Sequence, residues 1–155
     1  MRPRSFALVS ILVAVGALAV VLFFASRDDS ARNDALLFLD RYDGIDVDDP
    51  LEERRERIEQ LSRLPLPNDE VDRVRDVCIE AHQLLILAED RSAEARGRFD
   101  EATRGGLEEN DIPTDIRVSL EAALEESNDS LTRAREQMPR CAEGARDLRL
   151  RFVRR

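Results

Sequence analysis

The feature that most constrains this fold is a pair of apolar seams in the second half of the chain. In the first seam, small or apolar residues recur at alternating steps of three and four from Val71 to Ala102. This spacing keeps returning to one face of an α-helix and is typical of a long helix packed along a neighbour. The second seam repeats the spacing from Leu120 to Leu148. We therefore expect two long helices that lie side by side.

The segment between the seams contains glycines and a proline, which favour a turn at residues 105–113. A turn there makes the helices antiparallel, and the register can be tested by placing Cys78 opposite Cys141. Large residues then mostly face small ones, in the pairs Ala81 with Met138, Leu85 with Ala134, Ala88 with Leu131 and Ala95 with Leu124. Helices packed at a constant distance need this matching. The sequence predicts an all-α fold built on a coiled-coil-like hairpin over residues 68–155.

Residues 26–67 are expected to form two short helices and linkers. The first helix begins at Asn33 and ends at Tyr42, with Leu36 and Leu39 facing inward and Phe38 and Tyr42 as further inward candidates. The second helix follows Asp49, whose position before a proline is typical of a helix N-cap. Its inward residues are predicted to be Leu51, Ile58, Leu61 and Leu64, and its outward ones Glu52, Glu53, Arg54, Arg55, Glu56 and Arg57.

The first long helix is expected to begin at Asn68, a favourable N-cap residue. Its first half has apolar residues on more than one face, so it should pack against the short helices as well as its long neighbour. Its second half is rich in Arg and Glu outside the seam. That half is expected to project, with the returning helix, as a two-helix arm.

Residues 6–25 form an uncharged apolar segment after a short tail, residues 1–5. As a helix the segment would span about 30 Å, the thickness of a bilayer core. It is either a retained transmembrane anchor or a cleaved signal peptide. We favour the anchor, because bulky Phe23 occupies the third-last position before the natural cleavage point after Ala25. The flanking arginines discriminate little between orientations.

A short tail that stays inside is the usual arrangement for such an anchor. We therefore expect a single-pass protein of a bacterial-type inner membrane, with the C-terminal domain outside the cytoplasm in the periplasm. At the far end of the chain, Arg149, Arg151, Arg154 and Arg155 form a basic end. This end could meet anionic headgroups, an acidic partner or solvent.

Cys78 and Cys141 are the only cysteines, and outside the cytoplasm their opposed positions predict a disulfide. Two buried free thiols are the alternative. His82 lies one helical turn after Cys78, so the three residues could supply three ligands to zinc or copper. No fourth ligand is evident, and a structural histidine is the favoured interpretation. We expect neither a metal nor another cofactor.

The net charge of −9 would repel a phosphate backbone, which argues against nucleic-acid binding. No nucleophile elbow or phosphate-binding glycine loop occurs, so neither an enzyme nor a small-molecule substrate is indicated. The leading hypothesis is a structural or protein-interaction subunit of an envelope assembly, with other membrane or envelope proteins, or a second copy, as partners. One alternative is an envelope redox or metal sensor that uses Cys78, His82 and Cys141. A second alternative is a homo-oligomeric coiled-coil protein.

Overall fold

The structure, a computed structural model, describes residues 29–104 and 112–153, and all regular secondary structure in these ranges is helical. Helix α1 covers residues 29–42 of the described part. The later elements are α2 (Leu51–Ser62), α3 (Asp69–Arg104), α4 (Thr114–Leu148) and a π-helical turn (Arg149–Val153). Helices α3 and α4 pack along each other as a long hairpin-like pair. The predicted all-α class and the predicted pair of long helices are confirmed.

Small residues line the contact between α3 and α4. Ala81, Ala88 and Ala95 of α3 and Ala134 and Ala145 of α4 are all buried. Near the open end of the pair, a disulfide joins Cys78 to Cys141, whose Cα atoms are 4.7 Å apart. At Gly144 a side chain is impossible without movement, because an added Cβ would lie 2.9 Å from Cγ1 of Val74. The two helices therefore approach closely, as the small residues allow.

The largest apolar core lies at this end of the molecule, which we call the base. Helix α1 and the π-helical turn close over α3 and α4 there. The buried members are Ala31, Ala35, Phe38, Leu39, Leu61, Leu66, Val71, Cys78, Ala81, Cys141, Ala145, Leu148 and Phe152. Two ion pairs brace the last turn, one between Arg149 and Asp43 and one of 2.8 Å between Arg151 and Glu70.

Helix α2 packs across α3 through a charged contact that the sequence analysis placed in solvent. Arg54 was predicted to face outward, but its side chain is only 4% exposed and forms a two-pronged ion pair with Glu89 of α3. Arg54 Nε also donates to the carbonyl of Asp49 at 3.1 Å. The next residue, Arg55, contacts both carboxylate oxygens of Asp90 through one guanidinium nitrogen and is 40% exposed. The prediction for Arg54 was wrong because its partner lies on another helix.

Two local predictions were wrong and one is confirmed. Leu36 is 40% exposed, because the buried stripe of α1 consists of Ala31, Ala35, Phe38 and Leu39.

Asp49 makes no capping hydrogen bond at the start of α2 and instead pairs with Arg57 at 2.9 Å. Asn68 does cap α3, since its side-chain oxygen accepts from the backbone N–H groups of Glu70 and Val71 at 3.1 and 3.2 Å.

The predicted transmembrane segment, residues 6–25, and the preceding tail, residues 1–5, lie outside the described residues. Among the described helices, none combines the length with the hydropathy that a bilayer span requires. Most of the predicted turn, residues 105–111, also lies outside the described ranges, as do Arg154 and Arg155.

The close approach at Gly144 generates a stability prediction. We expect Gly144→Ala to lower the free energy of unfolding by about 1 to 3 kcal/mol, because the new methyl group must displace the stiff side chain of Val74. Gly97 is the matched control, since it is also helical and nothing lies within 4 Å of its added Cβ. Gly97→Ala should stabilise the protein by up to about 1 kcal/mol through helix propensity. Urea unfolding of the full chain in mild detergent measures both changes, and equal effects would contradict the close packing.

The buried arginine generates a second prediction. Glu89→Ala should cost about 1 to 3 kcal/mol, since it leaves the buried Arg54 guanidinium without its carboxylate, although Glu89 itself is half-exposed. Asp90→Ala removes the neighbouring, more exposed pair and should cost less than about 1 kcal/mol. The same unfolding experiment compares the two variants. A cost for Asp90→Ala equal to that for Glu89→Ala would mean that the burial of Arg54 contributes nothing.

Candidate functional site

The cysteines that the sequence analysis singled out form part of a buried polar cluster at the base. Helix α1 contributes Tyr42, whose hydroxyl lies 3.1 Å from Sγ of Cys141. A disulfide sulfur carries no hydrogen, so the tyrosine is the donor. Burial is the main cause that raises the pKa of Tyr42 above its ordinary value, which keeps the hydroxyl protonated and able to donate. The disulfide is thereby linked to α1 as well as to α3 and α4.

His82, the third candidate residue, is buried beside the same tyrosine. His82 is only 4% exposed, and its ring contacts the Tyr42 ring edge-on with the ring centroids 6.0 Å apart. Burial, and then the positive charge of Arg54, lower the pKa of His82 below its ordinary value. Within the described part of the chain, Nε2 of His82 has no hydrogen-bond partner. The neutral imidazole is therefore the favoured form.

The cluster in this form is suited to holding the base together. Cys78 and Cys141 are bonded to each other, so neither presents a thiolate to a metal beside His82. Over residues 29–104 and 112–153, no three side chains of His, Cys, Asp or Glu are grouped as a metal site would need. The disulfide links positions 63 residues apart, which corresponds to about 4 kcal/mol in the chain-entropy account.

The second candidate site is on the arm, the part of the α3–α4 pair beyond the N-terminus of α2. Leu51, the first residue of α2, lines a cavity of about 420 Å³ at the groove between α3 and α4, together with Ala88, Ser92, Ser127 and Leu131. Farther along the same side, the groove is open to solvent and has a volume of about 260 Å³. We call this part the arm groove; its lining residues are Ala95, Arg96, Phe99, Asp100, Leu120 and Leu124.

The arm groove is apolar because large side chains were displaced from the helix contact. The seams predicted Phe99 and Leu124 to face the other helix, but they are 39% and 48% exposed. Ala123 and Ser130 are buried in α4 instead, so smaller residues occupy the centre of the contact and larger ones its edge. Phe99 and Leu124 line the same groove, so together they form a small exposed apolar patch that a partner could cover.

Polar contacts between α3 and α4 hold the arm in register next to its groove. The Ser127 hydroxyl donates to the carbonyl of Ala88 at 2.7 Å. Arg91 reaches across to Glu126 at 2.8 Å and also contacts Glu94 on its own helix at 2.7 Å. These contacts lie beside the arm groove and do not involve its lining residues. The groove therefore offers a partner an apolar surface, with Arg96 and Asp100 as its charged lining residues.

Sequence reasoning identified Cys78, His82 and Cys141 of the base cluster but did not identify the arm groove. The seam pattern contained Phe99, Leu120 and Leu124 and indicated that they were apolar and periodic. Which of them is covered depends on where α2 begins relative to α3, and no local pattern encodes that. Tyr42 was expected to face inward without any indication that it would meet a disulfide.

The chain matches no protein-family model, and no curated protein or solved structure shows significant similarity to it.

The environment of His82 generates a pH prediction. A lowered pKa in the folded state means that the unfolded chain binds the proton more readily, so stability is fully present above the unfolded histidine pKa of about 6.5 and is lost as the pH falls below it. At pH 5.5 the loss can reach at most about 1.4 kcal/mol. His82→Phe, which keeps an aromatic ring against Tyr42, should remove this dependence. Urea unfolding of both full-length proteins at pH 7.5 and 5.5 checks this, and an unchanged slope in the variant would exclude His82 as its source.

Proposed function

We propose that this chain is a non-enzymatic, membrane-anchored protein that presents its two-helix arm to other proteins as a structural or interaction subunit of an envelope assembly. The observation that carries the proposal is the arm groove, where Phe99 and Leu124 are exposed on a part of the hairpin that α1 and α2 do not cover. A base that is stabilised by a disulfide and an arm that offers an apolar face suit a protein whose task is contact rather than chemistry.

The proposed location rests on two features. Residues 6–25 have the length and composition of a single transmembrane anchor. The Cys78–Cys141 disulfide supports a position outside the cytoplasm, because disulfides persist in oxidising compartments. In this arrangement the anchor precedes α1 in the chain, and the arm groove is farther along the hairpin than the base. The partners proposed are membrane or envelope proteins, and neither nucleic acid nor a small-molecule substrate is part of the proposal.

A site-specific photocrosslinking experiment in native membranes tests the proposal. A photoreactive residue at Leu124, in the arm groove, should give a discrete protein adduct. The matched control is the same residue at Asp129, which is exposed on α4 but does not line the groove. Mass spectrometry of the adduct identifies the partner as a membrane or envelope protein or as a second copy. Absence of adducts from Leu124, or equal labelling from both positions, would argue against an interaction role for the arm.

A second candidate, the redox or metal sensor, is favoured by one observation: the hydrogen bond from Tyr42 would respond to reduction of the disulfide. Alkylation of free thiols in native membranes separates the two functions. A linked Cys78–Cys141 peptide supports the proposed location and a permanent structural bond. Two alkylated thiols, with stoichiometric zinc or copper that disappears in Cys78→Ser, would favour the sensor.

A further inference from the structure

The arm groove has a pattern of charge on its rim as well as an apolar floor. On the α3 side the rim carries Arg96 and Asp100, both exposed. On the α4 side, Glu121 and Arg117 are exposed and lie one and two helical turns before Leu124 on a similar face of the helix, outside the groove lining itself. Within the described part of the chain, none of these four charged groups takes part in an ion pair. The rim therefore offers two positive and two negative charges to a partner.

The disulfide provides a common reference point for the positions of these charges along the axis of the arm. The height of a residue is its distance along this axis from the disulfide. Counting outward along both antiparallel helices from Cys78 and Cys141, Arg96 lies within about 3 Å of the height of Glu121. Asp100 lies within about 3 Å of the height of Arg117 by the same count. The rim thus has a positive α3 side and a negative α4 side nearer the base, and the opposite signs nearer the tip.

This alternating arrangement of positive and negative charges is self-complementary. If two arms meet groove to groove around a two-fold axis that runs along the arm, α3 of each copy lies over α4 of the other at the same height. Arg96 of one copy then faces Glu121 of the second, and Asp100 faces Arg117, twice each by symmetry. The apolar floors meet as well, since Phe99 and Leu120 lie at equal heights. Opposite charges around an apolar centre are the usual composition of a protein contact.

We infer that the arm groove binds a second copy of this chain, in a parallel side-by-side dimer with the Arg96–Glu121 and Asp100–Arg117 pairs across the interface. The inference rests on the proposed function, because two chains anchored in one membrane meet with their arms pointing the same way. An antiparallel pair of arms would instead set Arg96 against Asp100 and Glu121 against Arg117 of the second copy. The two arrangements use different charge pairs, so they can be distinguished.

Sedimentation of the purified full chain in mild detergent tests self-association. The expected protein mass is twice the chain mass of 17.6 kDa. Leu124→Glu should weaken the dimer by at least about tenfold, because a carboxylate would be buried in an apolar contact. The matched control is Val118→Glu: Val118 is also an exposed apolar residue of α4, at 57%, but does not line the groove. Both variants change surface positions, so circular dichroism should show unchanged helix content.

Charge reversal tests the orientation. Arg96→Glu alone and Glu121→Arg alone should each weaken the dimer, since each sets like charges against each other in both symmetric contacts. A mixture of the two variants should restore a mixed dimer, because in the parallel arrangement both of its Arg–Glu contacts again join opposite charges. In the antiparallel arrangement the mixture keeps two like-charge contacts, so failure of restoration would overturn the proposed orientation.

The possible failures are separable. A wild-type chain that is monomeric at high concentration in detergent, or a Val118→Glu variant as impaired as Leu124→Glu, would overturn the dimer. If photocrosslinking at Leu124 then still captured a different envelope protein, the proposed function would stand with another partner. If both experiments failed, the interaction role itself would fall.

Discussion

The close contact of α3 with α4 determines most of this structure. Alanine, glycine and cysteine occupy its centre, so the helix backbones approach until Gly144 has no room for a methyl group beside Val74. Such an approach leaves no space between the helices for leucine or phenylalanine, which are therefore displaced to the edges of the contact. The displaced residues must then be covered by other elements or remain exposed. Whether a displaced residue is covered or exposed depends on whether a short helix packs against the α3–α4 pair at that position.

Coverage of these edges divides the molecule into its base and its arm. At the base, α1, α2 and the π-helical turn cover the edges, and Phe38, Leu61 and Phe152 complete an apolar core around the disulfide. Helix α2 begins at Leu51, and the edge residues beyond that level have no cover. The position at which α2 begins thus marks the boundary between the covered core and the exposed apolar face. The exposed face of the hairpin is on this view a consequence of where α2 begins.

Much of this architecture can be read from the sequence, and what cannot has a common cause. The step pattern predicts both long helices, and opposed positions predict the partnership of Cys78 with Cys141, because these signals repeat along the chain or follow from antiparallel geometry. Arg54 has no such signal: its neighbours in the sequence are all charged, and its partner Glu89 lies 35 residues away on another helix. Leu36 likewise carries the right chemistry for a core but lies off the buried stripe. These outcomes depend on tertiary neighbours, which local patterns do not encode.

The division into base and arm also bears on stability. The disulfide and the base core restrain one end of the hairpin, but a covalent link at Cys78 restrains Phe99 little, since the intervening helix must hold its own contact with α4. The arm holds that contact with alanine and serine, which bury little apolar surface per residue. It therefore belongs to the less stable part of the fold. A partner that covers Phe99 and Leu124 would add the apolar burial that α2 adds at the base, so binding in the groove and order of the arm are thermodynamically linked.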